Sequence, residues 1–132
     1  MSNLESVIVK SSTLDLESGG LHTINIQVND DMEVTLIAPK RSKGNALINF
    51  QGQGKLKLNV VVEDSADWAI LEMNQSDLSI QFDERWTLNR NSNVLLAVGE
   101  LTAGSHTKIV NYDLVEEGAV LNVRGATLVQ SK

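Results

Sequence analysis

Asp31-Met32-Glu33-Val34-Thr35-Leu36, Ser65-Ala66-Asp67-Trp68-Ala69-Ile70, Ser92-Asn93-Val94-Leu95-Leu96-Ala97 and Gly118-Ala119-Val120-Leu121-Asn122-Val123 share one layout, an acidic or polar turn running into a short apolar strand. Set on each other, they place Val34, Trp68, Leu95 and Leu121 at one apolar position, and Leu36, Ile70, Ala97 and Val123 two residues on. Side chains two apart on a strand share a face, so each segment has an apolar edge that it cannot bury alone. Stacking the copies buries it, and the repetition therefore reads as a solenoid. Ser65 to Ser92 is 27 residues and Ser92 to Gly118 is 26, whereas Asp31 to Ser65 is 34. The longer interval contains Pro39-Lys40-Arg41-Ser42-Lys43-Gly44, which reads as a loop inserted into one repeat.

A second set of strands precedes these turns. His22-Thr23-Ile24-Asn25-Ile26-Gln27-Val28, Lys55-Leu56-Lys57-Leu58-Asn59-Val60 and Asp77-Leu78-Ser79-Ile80-Gln81-Phe82 alternate apolar with polar, the period of strands with one dry and one wet face. No window of similar length has a helical period. The single proline, Pro39, sits in a loop, where its missing amide leaves no gap in a ladder. Strand, polar turn, strand, repeated about every two dozen residues, predicts an all-β parallel β-helix, a short solenoid of a few coils. An antiparallel sandwich would give similar alternation without turns that repeat in kind.

The 132 residues suit one domain, with 1–20 as an N-terminal cap or edge strand and 21–132 as the repeats. Aromatic residues are 4% against 42% hydrophobic residues overall, so the core is built of Val, Leu, Ile and Ala. A formal net charge of -6 disfavours nucleic acid and anionic membrane as partners. The absence of cysteine rules out disulfides, thiolate metal sites and thiol nucleophiles within the chain. With no signal-like start and no apolar run of membrane-spanning length, the expected location is the cytoplasm.

The most specific stretch runs from Arg85-Trp86-Thr87-Leu88 through Asn91-Ser92-Asn93-Val94 and His106-Thr107-Lys108 to Asp113-Leu114-Val115-Glu116-Glu117-Gly118-Ala119, closing on Gly125-Ala126. It resembles the core domain of the SufB/SufD family, the scaffold proteins of the Suf iron-sulfur cluster assembly system. Leu114, Glu117, Gly118, Ala119 and Gly125 look like that family's turn motif, and Ile26 to Ile37 and Val60 to Trp68 look like its first coils. The resemblance covers nearly everything from His22 onward. It implies a right-handed parallel β-helix and a place in the iron-sulfur assembly apparatus, with protein partners that include Suf proteins. The family's cysteine, with its nearby histidine and glutamate, and the helical region that engages the SufC ATPase have no counterpart before Ser131-Lys132, so no family site residue is carried over. The resemblance thus implies no cofactor and no cluster building by this chain alone.

His106 with Asp113 or Glu117 is the best candidate metal set, although both histidines, His22 and His106, open strands, where an exposed imidazole is commonplace. In Gly104-Ser105-His106 the serine would point to the face opposite its base, which speaks against nucleophilic catalysis. Asp30-Asp31, Glu63-Asp64-Asp67, Asp83-Glu84 and Glu116-Glu117 fall at expected turns; stacked, they could serve carbohydrate chemistry or calcium, and singly they hydrogen-bond local backbone. Lys40-Arg41-Ser42-Lys43 reads as a solvated basic loop, Trp68 as core, and Trp86 as a coil cap or interface residue.

The leading expectation is a non-enzymatic scaffold, without catalytic or cofactor-binding residues, that pairs as a homodimer or homo-oligomer through a solenoid end. Leu4 to Lys10 would cover the N-terminal end, and the last coil, ending Ala126-Thr127-Leu128-Val129-Gln130, has no evident cap. The alternatives are a bactofilin-like β-helix that polymerises end to end and a carbohydrate-active β-helix enzyme.

Overall fold

From Leu21 to Ala38 every second side chain is buried, first His22, Ile24, Ile26 and Val28, then Met32, Val34, Leu36 and Ala38. The alternation slips at 29–31, where Asp30 takes a φ of 58°. One left-handed residue bends the chain around a corner, so a single long strand lines two walls. The next strand makes the same bend with Gly52 and Gly54, at φ 102° and 120°. Gly54 pairs with Asp30, and a Cβ on either glycine would strike the backbone of Val28 or Asp30, so these two positions need glycine.

The computed structural model describes residues 2–7, 11–74, 80–102, 106–114 and 117–129. Among them lie nine strands and no helix: β1 (Ser2–Val7), β2 (Ser11–Asp15), β3 (Leu21–Ala38), β4 (Lys43–Val62), β5 (Asp67–Asn74), β6 (Ile80–Leu88), β7 (Asn93–Thr102), β8 (His106–Leu114) and β9 (Val120–Val129). All pairings are parallel, each strand joining its counterpart one turn of the chain away. The offset is 24 residues from Leu21 to Asn45, 26 from Asp67 to Asn93 and 27 from Asn93 to Val120. This is a parallel β-helix. Its first wall stacks β1, the N-terminal halves of β3 and β4, then β5, β7 and β9; its second stacks β2, the C-terminal halves of β3 and β4, then β6 and β8.

Columns of like side chains fill the interior. On the second wall Leu14, Leu36, Val60, Trp86 and Tyr112 lie in one column, and Ala38, Val62, Leu88 and Leu114 in another. On the first wall Ile24 stacks on Ile48, and Ile26 on Phe50. Phe50 meets Phe82 of the opposite wall edge to face, with ring centroids 5.1 Å apart. Trp86 is fully buried, so it is a core residue rather than a cap.

The repeat differs from the sequence alignment in register. Trp68 stacks on Gly44, Val94 and Leu121, whereas Leu95 pairs with Ala69 and Asn122 and faces outward, 42% exposed. Ser65 is not the counterpart of Ser92: the equivalent left-handed corner residues are Arg41, Ser65, Asn91 and Gly118, at φ 62°, 60°, 56° and 81°. Ala97, matched to Leu36 and Ile70, likewise faces outward, while Leu96 occupies the buried column. The 31–36 segment belongs to the other wall, where Val34 stacks on Leu58. The stretch 39–44 is therefore no insertion: it is the regular corner, 24 residues before the next.

Candidate functional site

The repeated corner is built by its backbone. In 39–42, 63–66 and 89–92 the fourth amide donates to the first carbonyl, at 3.1, 3.2 and 3.2 Å. The left-handed third residue turns its own amide to the next rung: Arg41 N donates to Asp64 O (2.9 Å), Ser65 N to Arg90 O (2.9 Å) and Asn91 N to Glu117 O (3.2 Å). The second residues form a column reading Lys40, Asp64, Arg90, Glu117, so charge alternates in sign from rung to rung. Lys40, Arg41, Asp64, Ser65 and Arg90 line a solvent-open depression of about 580 Å³ at this corner. In this column no acid lies next to another acid, because Arg90 stands between Asp64 and Glu117.

The other sequence candidates are dispersed. His106 and Asp113 lie near opposite ends of β8, separated by about 23 Å of extended strand, so they do not share an ion. Asp113 and Glu117 are exposed, and among the described residues no group of three His, Asp or Glu side chains is arranged to hold a metal. Gly104 and Ser105 lie outside the described residues. No helix among the described residues is long and apolar enough to cross a membrane.

The interior also holds two polar clusters, which alternation alone does not mark as partnered. His22 is buried rather than exposed; its Nε2 donates to the Glu17 carbonyl at 2.7 Å, and its ring lies 5.6 Å from that of Trp68. Trp68 in turn donates from Nε1 to Ser42 Oγ (2.8 Å), and Ser42 donates to the Pro39 carbonyl (2.6 Å). Farther along, Glu72, Asn74 and Glu84 are buried in the interior columns, and Trp86 Nε1 donates to Glu84 Oε1 at 3.2 Å. Asp83-Glu84 is thus a mid-strand pair rather than a turn. Period two counted from Trp68 and Ile70 already pointed Glu72 and Asn74 inward.

The two outer faces contrast. On the second wall, outward columns Asp31–Lys55–Gln81, Glu33–Lys57–Asp83 and Thr35–Asn59–Arg85 carry six charges, with Asn59 and Lys57 both reaching Glu33 (3.0 and 3.9 Å). On the first wall, Leu21–Asn45–Ala69–Leu95, Thr23–Leu47–Leu71–Ala97 and Asn25–Asn49–Met73–Gly99 carry none over these four rungs, and the middle column continues to Arg124 on β9. Asn49 Nδ2 donates to Asn25 Oδ1 at 2.9 Å, an amide rung within that uncharged patch.

The two ends also differ. At the C-terminal end, Tyr112 and Leu114 occupy interior columns yet are 36% and 50% exposed, and Val123, in the column of Ile70 and Leu96, is 47% exposed. At the N-terminal end the same second-wall columns finish with Leu14, partly buried, and Leu16, 2% exposed, whose amide donates to Ile37 O at 2.7 Å. The 17–20 turn follows at once, where Gly19 N donates to Lys43 O (2.6 Å) and His22 holds the Glu17 carbonyl. Among the described residues, the second-wall columns are therefore covered at the N-terminal end and exposed at the C-terminal end.

Fold and surfaces define a parallel β-solenoid in which, among the described residues, Tyr112, Leu114 and Val123 of the C-terminal rungs are exposed and the first wall carries a patch without charge on four rungs. Comparisons with protein-family models, with curated proteins and with solved structures found no match to this chain.

Proposed function

We propose that this chain is a non-enzymatic scaffold module related to iron-sulfur cluster assembly, working through protein contacts at its C-terminal end. One observation carries the reading: identical interior columns are shielded at one end, by Leu14 and Leu16, and laid bare at the other, by Tyr112 and Leu114. The exposed interior side chains of β8 and β9 favour contact with another apolar surface. Since only one end is bare among the described residues, a closed pair that uses this end twice fits better than a filament, which needs two compatible ends. The link to cluster assembly rests on the SufB/SufD-like sequence pattern, with a cytoplasmic setting and Suf proteins as partners.

The test joins light scattering of the purified protein to a pull-down against defined, purified SufB, SufD and SufC. A dimer that Leu114→Glu converts to monomer, with capture of one of these partners, is the expected result. A monomer that captures none of them removes this reading, and particles growing with concentration would favour the bactofilin-like polymer instead.

A further inference from the structure

We infer that Lys108 supplies the positive charge that lets Glu72 and Glu84 stand in the interior, and that this charge cluster latches β8 to the ladder. The interior changes character at β5 and β6. On β3 and β4 the column of Glu72 holds Ile24 and Ile48, and the column of Glu84 holds Val34 and Leu58, all four fully buried. Glu72 and Glu84 are themselves 1% exposed, and Asn74, two residues along from Glu72, is buried in the column of Ile26 and Phe50.

A carboxylate taken from water into an apolar interior is costly unless a positive charge accompanies it. The register of the ladder singles out one. Of the basic residues on the described strands, Lys43, Lys55, Lys57 and Arg85 are exposed, and Arg124 shares the register of outward-facing Ala97. Lys108 alone shares the register of buried residues, continuing the column Met32–Leu56–Phe82. Its backbone position is one rung beyond β6 and two residues from the register of Glu84. That diagonal is roughly 8 Å, a spacing at which long side chains on paired strands interact. At interior register positions of the same two rungs stand two further titratable residues, Glu100 in the column of Asn74 and His106 in the column of Ile80. Three acids are thus set against one lysine, and no other basic strand residue can replace it.

The latch also bears on the contact proposed above, and to that extent rests on that reading. Tyr112 and Leu114, whose exposure carries it, belong to β8, and Lys108 lies in the half of the strand that precedes them.

Thermal unfolding of the full chain, followed by circular dichroism and joined to hydrogen exchange of the strand amides, tests the latch. Lys108→Met should lower the melting temperature by about 10 °C and speed exchange on β8 about tenfold more than on β3. Adding Glu72→Gln and Glu84→Gln removes the unbalanced charge while glutamine still accepts from Trp86 Nε1, so about half of the loss should return. Lys55→Met, in an outward column, should change neither reading. Should Lys108→Met not fold, the triple variant is read for recovery of the folded protein. Light scattering follows the end contact separately, and Leu114→Glu abolishes that contact with the charge cluster intact, so the two readings fail independently. A Lys108→Met protein as stable as the parent, or one that the two glutamines leave no better, would overturn the latch.

Discussion

Adding one methyl group at Gly44 should destabilise the protein through a single neighbour, Trp68. A Cβ built on Gly44 would lie 2.8 Å from both Cη2 and Cζ3 of that indole, and 3.4 Å from Gly20 O. The ring has little room to yield: it is 1% exposed, its Nε1 is bonded to Ser42 Oγ at 2.8 Å, and His22 lies on it. Overpacking of this kind costs about 1–3 kcal/mol. An indole that shifts away gives up a hydrogen bond worth about 1 kcal/mol. Against this, alanine restricts the unfolded chain and returns about 0.4–1 kcal/mol at a position free of left-handed strain, which Gly44 is. The balance for Gly44→Ala is a loss of about 1–2 kcal/mol, read by urea denaturation followed by circular dichroism. In a Trp68→Phe background, whose smaller ring leaves space, the same substitution should be neutral or stabilising, a coupling of at least about 1 kcal/mol. An equal cost in both backgrounds, or a gain in the parent, would refute the argument that the indole and the glycine fit as a pair.

Three further outcomes follow from the corner. Ser42→Ala removes the acceptor for buried Trp68 together with the bond to Pro39 O, and should cost about 2 kcal/mol; Ser92→Ala, which loses the bond to Asn89 O, should cost about half as much in the same denaturation assay. Arg41→Asn should raise the melting temperature by a few degrees, because a left-handed backbone costs an ordinary side chain about 1 kcal/mol and asparagine, already present at the stacked position 91, adopts it readily.

The strands and their stacking were legible because alternation and turn spacing survive in the residues themselves. Register was not. Ser65 and Ser92 look alike, yet the corner is set by which residue turns left-handed, and Arg41, Ser65, Asn91 and Gly118 share no side-chain chemistry that marks them. The off-by-one match placed Leu95 inside, where Val94 and Leu96 belong, since in a strand a shift of one exchanges the faces. Trp86 was misread because charged neighbours flank it; on an alternating strand such neighbours simply face the solvent or, like Glu84, enter the core with a partner. The uncharged patch could not be seen at all, because its columns gather residues from four rungs that only the correct register brings together.

Each strand is bonded only to the rungs directly before and after it, and nothing in the ladder spans farther. Loss of β9 would therefore leave β7 to inherit its place, and Val94 and Leu96 would become the new terminus. Each rung thus carries its own set of interior side chains, and shortening the ladder by one exchanges Val123 for Leu96 and Leu121 for Val94 at its last position.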